Sequence, residues 1–325
     1  MGRMVKPRLG LALGGGAAKG WSHIGFMRAL DEAGIKPDII SGTSIGAVVG
    51  GCWAAGHLDE LEKFARSLTQ RRVFALMDVS LSGSGLINGS RLGKILTQNL
   101  DGIEIQDLKI PFASIATELS NGNEIWLTKG HLASALQASY ALPGVFKPVQ
   151  IEDRWLVDGA LVNPVPVTTC RALGANYVIG ISLSSSGLGK GTVMANTMLA
   201  TSLNEDDING LDIEDKGASG TKQNTNAKRL VRRQILGRKD GPPGISSVMM
   251  QSFNIIQDRI SRSRLAGDPP DTLVTPQIGD IGLFDFHRAT EAIDAGYAAA
   301  KPIIAMLEPQ FSQNSAESEK QTIAV

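Results

Sequence analysis

The chain has 325 residues, 42% hydrophobic and 20% charged, the ordinary balance of a globular protein long enough to bury a large core. Its 32 basic and 32 acidic residues cancel, so no global field draws it to nucleic acid or to an acidic membrane, and any membrane contact has to be local. Two cysteines, Cys52 and Cys170, are too few for a disulfide framework or a metal cage and fit a reducing, cytoplasmic setting.

Arg3, Lys6 and Arg8 ahead of an apolar run imitate a signal peptide, but Gly14-Gly15-Gly16 interrupts that run before it is long enough. No stretch approaches the roughly 18 apolar residues that a bilayer-spanning helix needs. Leu9–Leu13 reads instead as a short buried strand bounded by glycine. Trp21, Ile24, Met27, Ala29 and Leu30 then recur at helical spacing until Gly34. A second strand over Pro37 to Ser41 runs into Gly42-Thr43-Ser44-Ile45-Gly46 and a helix to about Ala55. Strand, glycine turn and helix, twice over, is the rhythm of a parallel sheet covered by helices.

Further strands are expected over Pro111 to Thr117, Glu124 to Leu127, Arg154 to Val157 and Tyr177 to Ser182, with a helix from Leu132 to Tyr140. Between about Ser184 and Gly244 the composition turns to Gly, Ser, Asn and charge, an acidic run (Glu205 to Asp215) preceding a basic one (Lys228 to Lys239). That segment reads as a flexible insertion. From Ile245 an amphipathic helix is expected, with Val248, Met249, Phe253, Ile256 and Ile260 inward and Asp258, Arg259 and Arg262 outward. Met249 and Phe253 leave a homodimer contact open. A strand over Leu273 to Ile278 and a helix from His287 to Leu307 follow, then a polar, disordered tail. The expected organisation is a core over 8–183, the insertion over 184–244, C-terminal helices and strand over 245–310, and the tail over 311–325.

Two glycine-rich turns carry the chemistry. Gly14-Gly15-Gly16-Ala17-Ala18-Lys19-Gly20 lies between strand and helix, where small residues free backbone N–H groups to bind an anion. A P-loop needs Ser or Thr after Gly-Lys, and here Gly20 and Trp21 follow Lys19. A dinucleotide fingerprint needs a third glycine where Lys19 stands and an acidic residue closing the second strand, which closes on Ser41-Gly42-Thr43-Ser44 instead. The loop therefore reads as an oxyanion hole. Gly42-Thr43-Ser44-Ile45-Gly46, between strand and helix, is a nucleophile elbow, with Ser44 as nucleophile and the helix N-terminus at Ile45 favouring negative charge.

A serine needs a base. Asp158, in Asp158-Gly159-Ala160 at the end of a strand, is one candidate; a triad of Ser44, Asp158 and His287, in α/β-hydrolase order, is the other. None of His23, His57, His131 and His287 stands in a triad-like context.

These motifs, together with Ala141-Leu142-Pro143-Gly144-Val145-Phe146-Lys147-Pro148-Val149 and Asn163-Pro164-Val165-Pro166, resemble patatin-like phospholipases, in particular the bacterial branch similar to the patatin domain of neuropathy target esterase. The likeness covers about Arg8 to Ser182. It implies a three-layer α/β/α sandwich around a mostly parallel sheet and a Ser44–Asp158 dyad without histidine. It further implies an oxyanion hole from the loop Gly14, Gly15, Gly16 and Ala17, the N–H groups of the last three donating. Gly42, Ile45 and Gly46 would shape the elbow, and Lys19, Gly20, Gly159 and Ala160 would support the motifs. The family often has Arg where Lys19 stands; Lys keeps the charge and loses the bidentate fork.

The implied activity is a lipid acyl hydrolase of phospholipase A or lysophospholipase type. Its substrate would be a phospholipid or lysophospholipid, met through transient peripheral contact with a membrane surface. Trp21, Phe26, Leu142, Val145 and Phe146 are candidates to line an acyl trough, or ordinary core. No metal-ligand spacing or EF-hand loop occurs, so neither metal nor cofactor is expected. The rival readings are a carboxylesterase or thioesterase using His287, and a non-catalytic lipid-binding regulatory protein.

Overall fold

The structure is a computed structural model and describes residues 7–76, 100–183, 245–279 and 281–311. The insertion expected over 184–244 and the tail after Phe311 lie outside the described residues. The chain divides into two compact units, Ser186–Ile255 and the remainder; of the first, only residues 245–255 are described.

The strands of the larger unit are β1 (Leu9–Leu13), β2 (Ile39–Thr43), β3 (Phe112–Glu118), β4 (Glu124–Leu127), β5 (Val149–Ile151), β6 (Arg154–Asp158), β7 (Tyr177–Ile181) and β8 (Thr272–Val274). The helices are α1 (Ser22–Glu32), α2 (Ile45–Ala54), α3 (Leu58–Arg66), α4 (Gln70–Leu76), α5 (Leu132–Ser139), α6 (Val167–Ala172), α7 (Ile245–Gly267) and α8 (Ala289–Phe311). One sheet joins the strands in the order β5-β6-β3-β2-β1-β7-β8, with β4 also on β3. β3, β2, β1, β7 and β8 run parallel, while β4 and β6 are antiparallel to β3 and β5 to β6.

All five residues of β1 are buried, because a central parallel strand is covered on both faces. Leu9, Leu11 and Leu13 point into the larger core with Ile24, Met27 and Leu30 of α1 and Val48 and Val49 of α2. Ala12, on the other face, packs with Val167 and Cys170 of α6. Helices therefore cover both faces, giving the three-layer α/β/α sandwich.

Where β3 meets its neighbours, the pairing sets up the site. Ile115 has Thr43 of β2 on one side and Trp126 of β4 on the other. Ala116, the next residue, has Asp158 of β6 and Ile125 of β4. With β4 filling one edge, β2 and β6 share the opposite edge end to end. Both point their C-terminal ends at the same spot.

The expected face of α7 is corrected. Asp258, assigned outward by periodicity, is 4% exposed, whereas Ile256, assigned inward, is 48% exposed. The inward side of this helix is polar: Asp258 takes Arg262 Nε at 2.9 Å, and Ser261 is buried beside it.

Candidate active site

Ser44 stands between β2 and α2 with φ 55° and ψ −125°, left-handed backbone that a residue with a Cβ adopts only when its surroundings enforce it. The enforcement is visible. Ser44 N–H donates to Ser139 Oγ at 2.8 Å, and that hydroxyl donates to Ile115 O at 2.5 Å, tying the elbow to α5 and β3. Thr43 Oγ1 donates to Asn163 O at 2.8 Å and Ser41 Oγ to Pro166 O at 2.7 Å, so the segment after Asp158 latches onto β2. Gly46 lies where a Cβ would stand 2.2 Å from Leu13 O, so only glycine lets α2 approach the end of β1 this closely. Gly42 is likewise pressed against the backbone of Ala47, and Gly20 against the side chain of Ile45.

Asp158 ends β6 and is 2% exposed. Ser44 Oγ donates to its Oδ2 at 2.8 Å, and Ala160 N–H donates to its Oδ1 at 2.8 Å. Its own N–H goes to Ala141 O at 3.0 Å, and Thr117 Oγ1 donates to its carbonyl at 2.9 Å. Gly159 comes so near β3 that a Cβ there would be 2.2 Å from Ile115 O. Burial pushes the carboxyl up from 3.8 to about 7, against the pull of the Ala160 N–H and the Ser44 hydroxyl. A buried carboxylate held near neutrality is suited to taking up and returning a proton.

The Gly14–Gly20 loop passes beside this pair. A Cβ on Gly15 would stand 3.4 Å from Ser44 Cβ and 3.3 Å from Ala160 Cβ. Four of the loop's N–H groups are already used: Gly14 donates to Ile181 O at 3.0 Å, Gly15 to Pro164 O at 2.9 Å, Ala18 to Leu283 O at 3.0 Å and Lys19 to Gly16 O at 3.2 Å. This corrects the expectation for Gly15, because the carbonyl of Pro164 occupies its donor. Gly16 and Ala17 make no such bond, and Ala17 has φ 49°, a second left-handed residue with a Cβ. Lys19 is half-buried, and burial lowers its ammonium pKa from the ordinary value.

All four histidines lie among the described residues, and none hydrogen-bonds to Ser44 or Asp158. His287 Nε2 accepts from Gln70 Nε2 at 3.3 Å, His57 lies 3.6 Å from Glu60, and His131 lies 2.5 Å from Glu104. His23 is bound to Gly14 O. Of the trough candidates, Phe26 is wholly buried in the larger core and Trp21 packs edge-on to Phe286 at 6.0 Å. Phe146 is half-buried and sits 5.5 Å from Tyr140.

A family model described as patatin-like phospholipase matches residues 11–171, a span holding both glycine-rich turns and Asp158. An uncharacterized NTE family protein of Mycobacterium tuberculosis is 32% identical over 349 residues, covering 95% of each chain. This chain belongs to the NTE family of patatin-like phospholipases. Lysophospholipase NTE1 of Pyricularia oryzae is 25% identical over 302 residues, 91% of this chain but 18% of that protein. Neuropathy target esterase sws of Drosophila melanogaster is 30% identical over 183 residues, 54% of this chain and 13% of that protein.

As a patatin-like phospholipase the chain is a lipid acyl hydrolase, a carboxylic ester hydrolase. Several residues that shape its site escaped the sequence reading: Ser139, Thr117 and His23. Their partners lie on other elements, and nothing local distinguishes them from ordinary helix, strand or turn residues. Among the described residues, no helix is long and apolar enough to cross a membrane.

Proposed function

We propose that this patatin-like phospholipase cleaves the carboxylic esters of phospholipids or lysophospholipids through an acyl-Ser44 intermediate, with Asp158 as the base of a Ser–Asp dyad. The observation that carries the reading is the 2.8 Å hydrogen bond from Ser44 Oγ to a buried Asp158 whose carboxyl is held near 7. The lipid substrate class is supported by the lysophospholipase named among the relatives.

The chemistry follows from the geometry. Asp158 Oδ2 takes the Oγ proton as Oγ attacks the ester carbonyl carbon, and the carbonyl oxygen becomes an oxyanion. The unspent Gly16 and Ala17 N–H groups are suited to hold that oxyanion, and the N-terminus of α2 favours its charge. When the tetrahedral intermediate collapses, the bond to the alcohol breaks and protonated Asp158 returns its proton to the departing oxygen. Water then attacks acyl-Ser44 with Asp158 again accepting a proton, which goes back to Oγ as the fatty acid leaves. A base near 7 serves both directions. The enzyme would meet its lipid by transient contact at a membrane surface, and a cytoplasmic setting is part of the same reading.

The test is fatty-acid release from lysophosphatidylcholine micelles and phosphatidylcholine vesicles. Wild type should release fatty acid, and Ser44→Ala and Asp158→Ala should each lose at least a thousandfold in kcat. Retention of activity by Ser44→Ala would overturn the reading.

A further inference from the structure

His23 is the second residue of α1, three residues beyond the glycine loop, and its side chain is wholly buried. Its Nε2 lies 2.8 Å from Gly14 O. A carbonyl can only accept, so Nε2 carries the proton and Nδ1 is left as a bare lone pair. Nδ1 is buried without a hydrogen-bond partner. Burial also lowers the ring's pKa to about 4, which keeps it neutral and this tautomer fixed.

A buried acceptor without a partner is a cost that a residue chosen for packing alone would not carry. The ring is therefore explained by its donor and not by packing. That donor acts on a telling group. Gly14 C=O and Gly15 N–H belong to one peptide unit, and the two ends of that unit are pinned: the carbonyl by His23 and the N–H by Pro164 O at 2.9 Å. The preceding N–H, of Gly14, is held by Ile181 O at 3.0 Å. A glycine-only stretch would otherwise sample many orientations. With that peptide plane fixed, the next two N–H groups, of Gly16 and Ala17, have a set direction.

We infer that His23 is a positioning residue for the reaction: by holding the Gly14–Gly15 peptide plane it orients the Gly16 and Ala17 N–H groups toward the oxyanion formed at Ser44. This rests on the dyad and oxyanion-hole reading above. The role is preorganisation, in which donors aimed before the reaction cost no reorganisation during it.

The test compares His23→Leu, which fills the volume without a donor, with His23→Gln, whose amide N–H reaches as far as Nε2. Lysophosphatidylcholine turnover is measured beside thermal melting. His23→Leu should melt within a few degrees of wild type, lose about a hundredfold in kcat and keep KM within about threefold, the signature of an interaction made in the transition state. His23→Gln should recover most of that kcat. A residue there only for packing would show the opposite order, since leucine removes the stranded acceptor. If His23→Leu does not fold, His23→Asn replaces it, because the shorter amide cannot reach Gly14 O. Wild-type kcat in the donor-less variant, or His23→Gln as slow as that variant, overturns the inference, as does a loss confined to KM. Ser44→Ala measured alongside separates the two claims: its activity bears on the dyad alone.

Discussion

Thr43 and Asp158 stand opposite consecutive residues of β3, Ile115 and Ala116, on the same edge of that strand. Ser44 follows Thr43 directly, so the 2.8 Å approach of Oγ to Asp158 Oδ2 is built by the register of two strands that converge from opposite ends. Sites held by strand pairing are more rigid than sites held by loops. The chemistry of the pair is correspondingly sensitive to anything that shifts β2, β3 or β6.

The first consequence concerns pH. Asp158 acts as a base only when ionised, and burial raises its carboxyl to about 7. The rate kcat/KM should therefore climb with pH and level off above about 7, standing about a hundredfold lower at pH 5. A pH–rate profile from pH 5 to 9 checks this. A profile already flat at pH 5 would mean the carboxyl titrates in the ordinary range.

Stability should move the other way. The folded pKa lies above the unfolded one, so the folded state binds the extra proton and stability falls as pH rises from about 4 to about 7, then stays level. Asp158→Asn removes the ionisation. Its stability relative to wild type should rise through that window to a gain on the order of 4 kcal/mol, about 1.4 kcal/mol per pH unit, while activity is lost. Urea unfolding of both proteins at pH 5 and pH 8 measures it. Equal gains at the two values would contradict the assignment.

Gly159→Ala should damage both fold and rate. The added methyl would lie 2.2 Å from Ile115 O, so β3 or the Asp158 turn has to give. Overpacking of this kind costs about 1–3 kcal/mol, and any retreat of the turn carries Asp158 away from Ser44. Denaturant midpoints and kcat read together should fall together.

Ser139→Ala removes the hydroxyl that joins Ser44 N–H to Ile115 O. A buried donor and a buried carbonyl are then left unmatched, at about 1–3 kcal/mol for each group. The strained Ser44 backbone also loses one of the contacts that enforce it. Stability should drop by that order, with kcat reduced more than KM is raised.

Much of this was legible in the chain. The Leu9–Leu13 strand, the elbow around Ser44 and the Asp158 turn are local patterns, with glycines at fixed offsets between apolar runs. What escaped was set by distant partners. The Gly14–Gly20 loop looks uniformly free in sequence, but Ile181 and Pro164, some 150 residues on, take two of its donors. His23 reads as a helix residue because Gly14 O is visible only in the fold. On α7 the apolar periodicity pointed the wrong way: Arg264 reaches Glu124 at 2.7 Å and Val162 O at 3.1 Å, so contacts of polar groups orient the helix.

Everything turns on whether Ser44 becomes acylated. Intact-mass analysis after reaction with a fluorophosphonate tests this most directly, because the reagent phosphonylates an activated serine and stays on it. The account predicts one adduct on wild type, mapped to Ser44 by peptide sequencing, none on Ser44→Ala, and an adduct forming at least a thousandfold more slowly on Asp158→Asn. An unlabelled wild type, or equal labelling of Ser44→Ala, would contradict it.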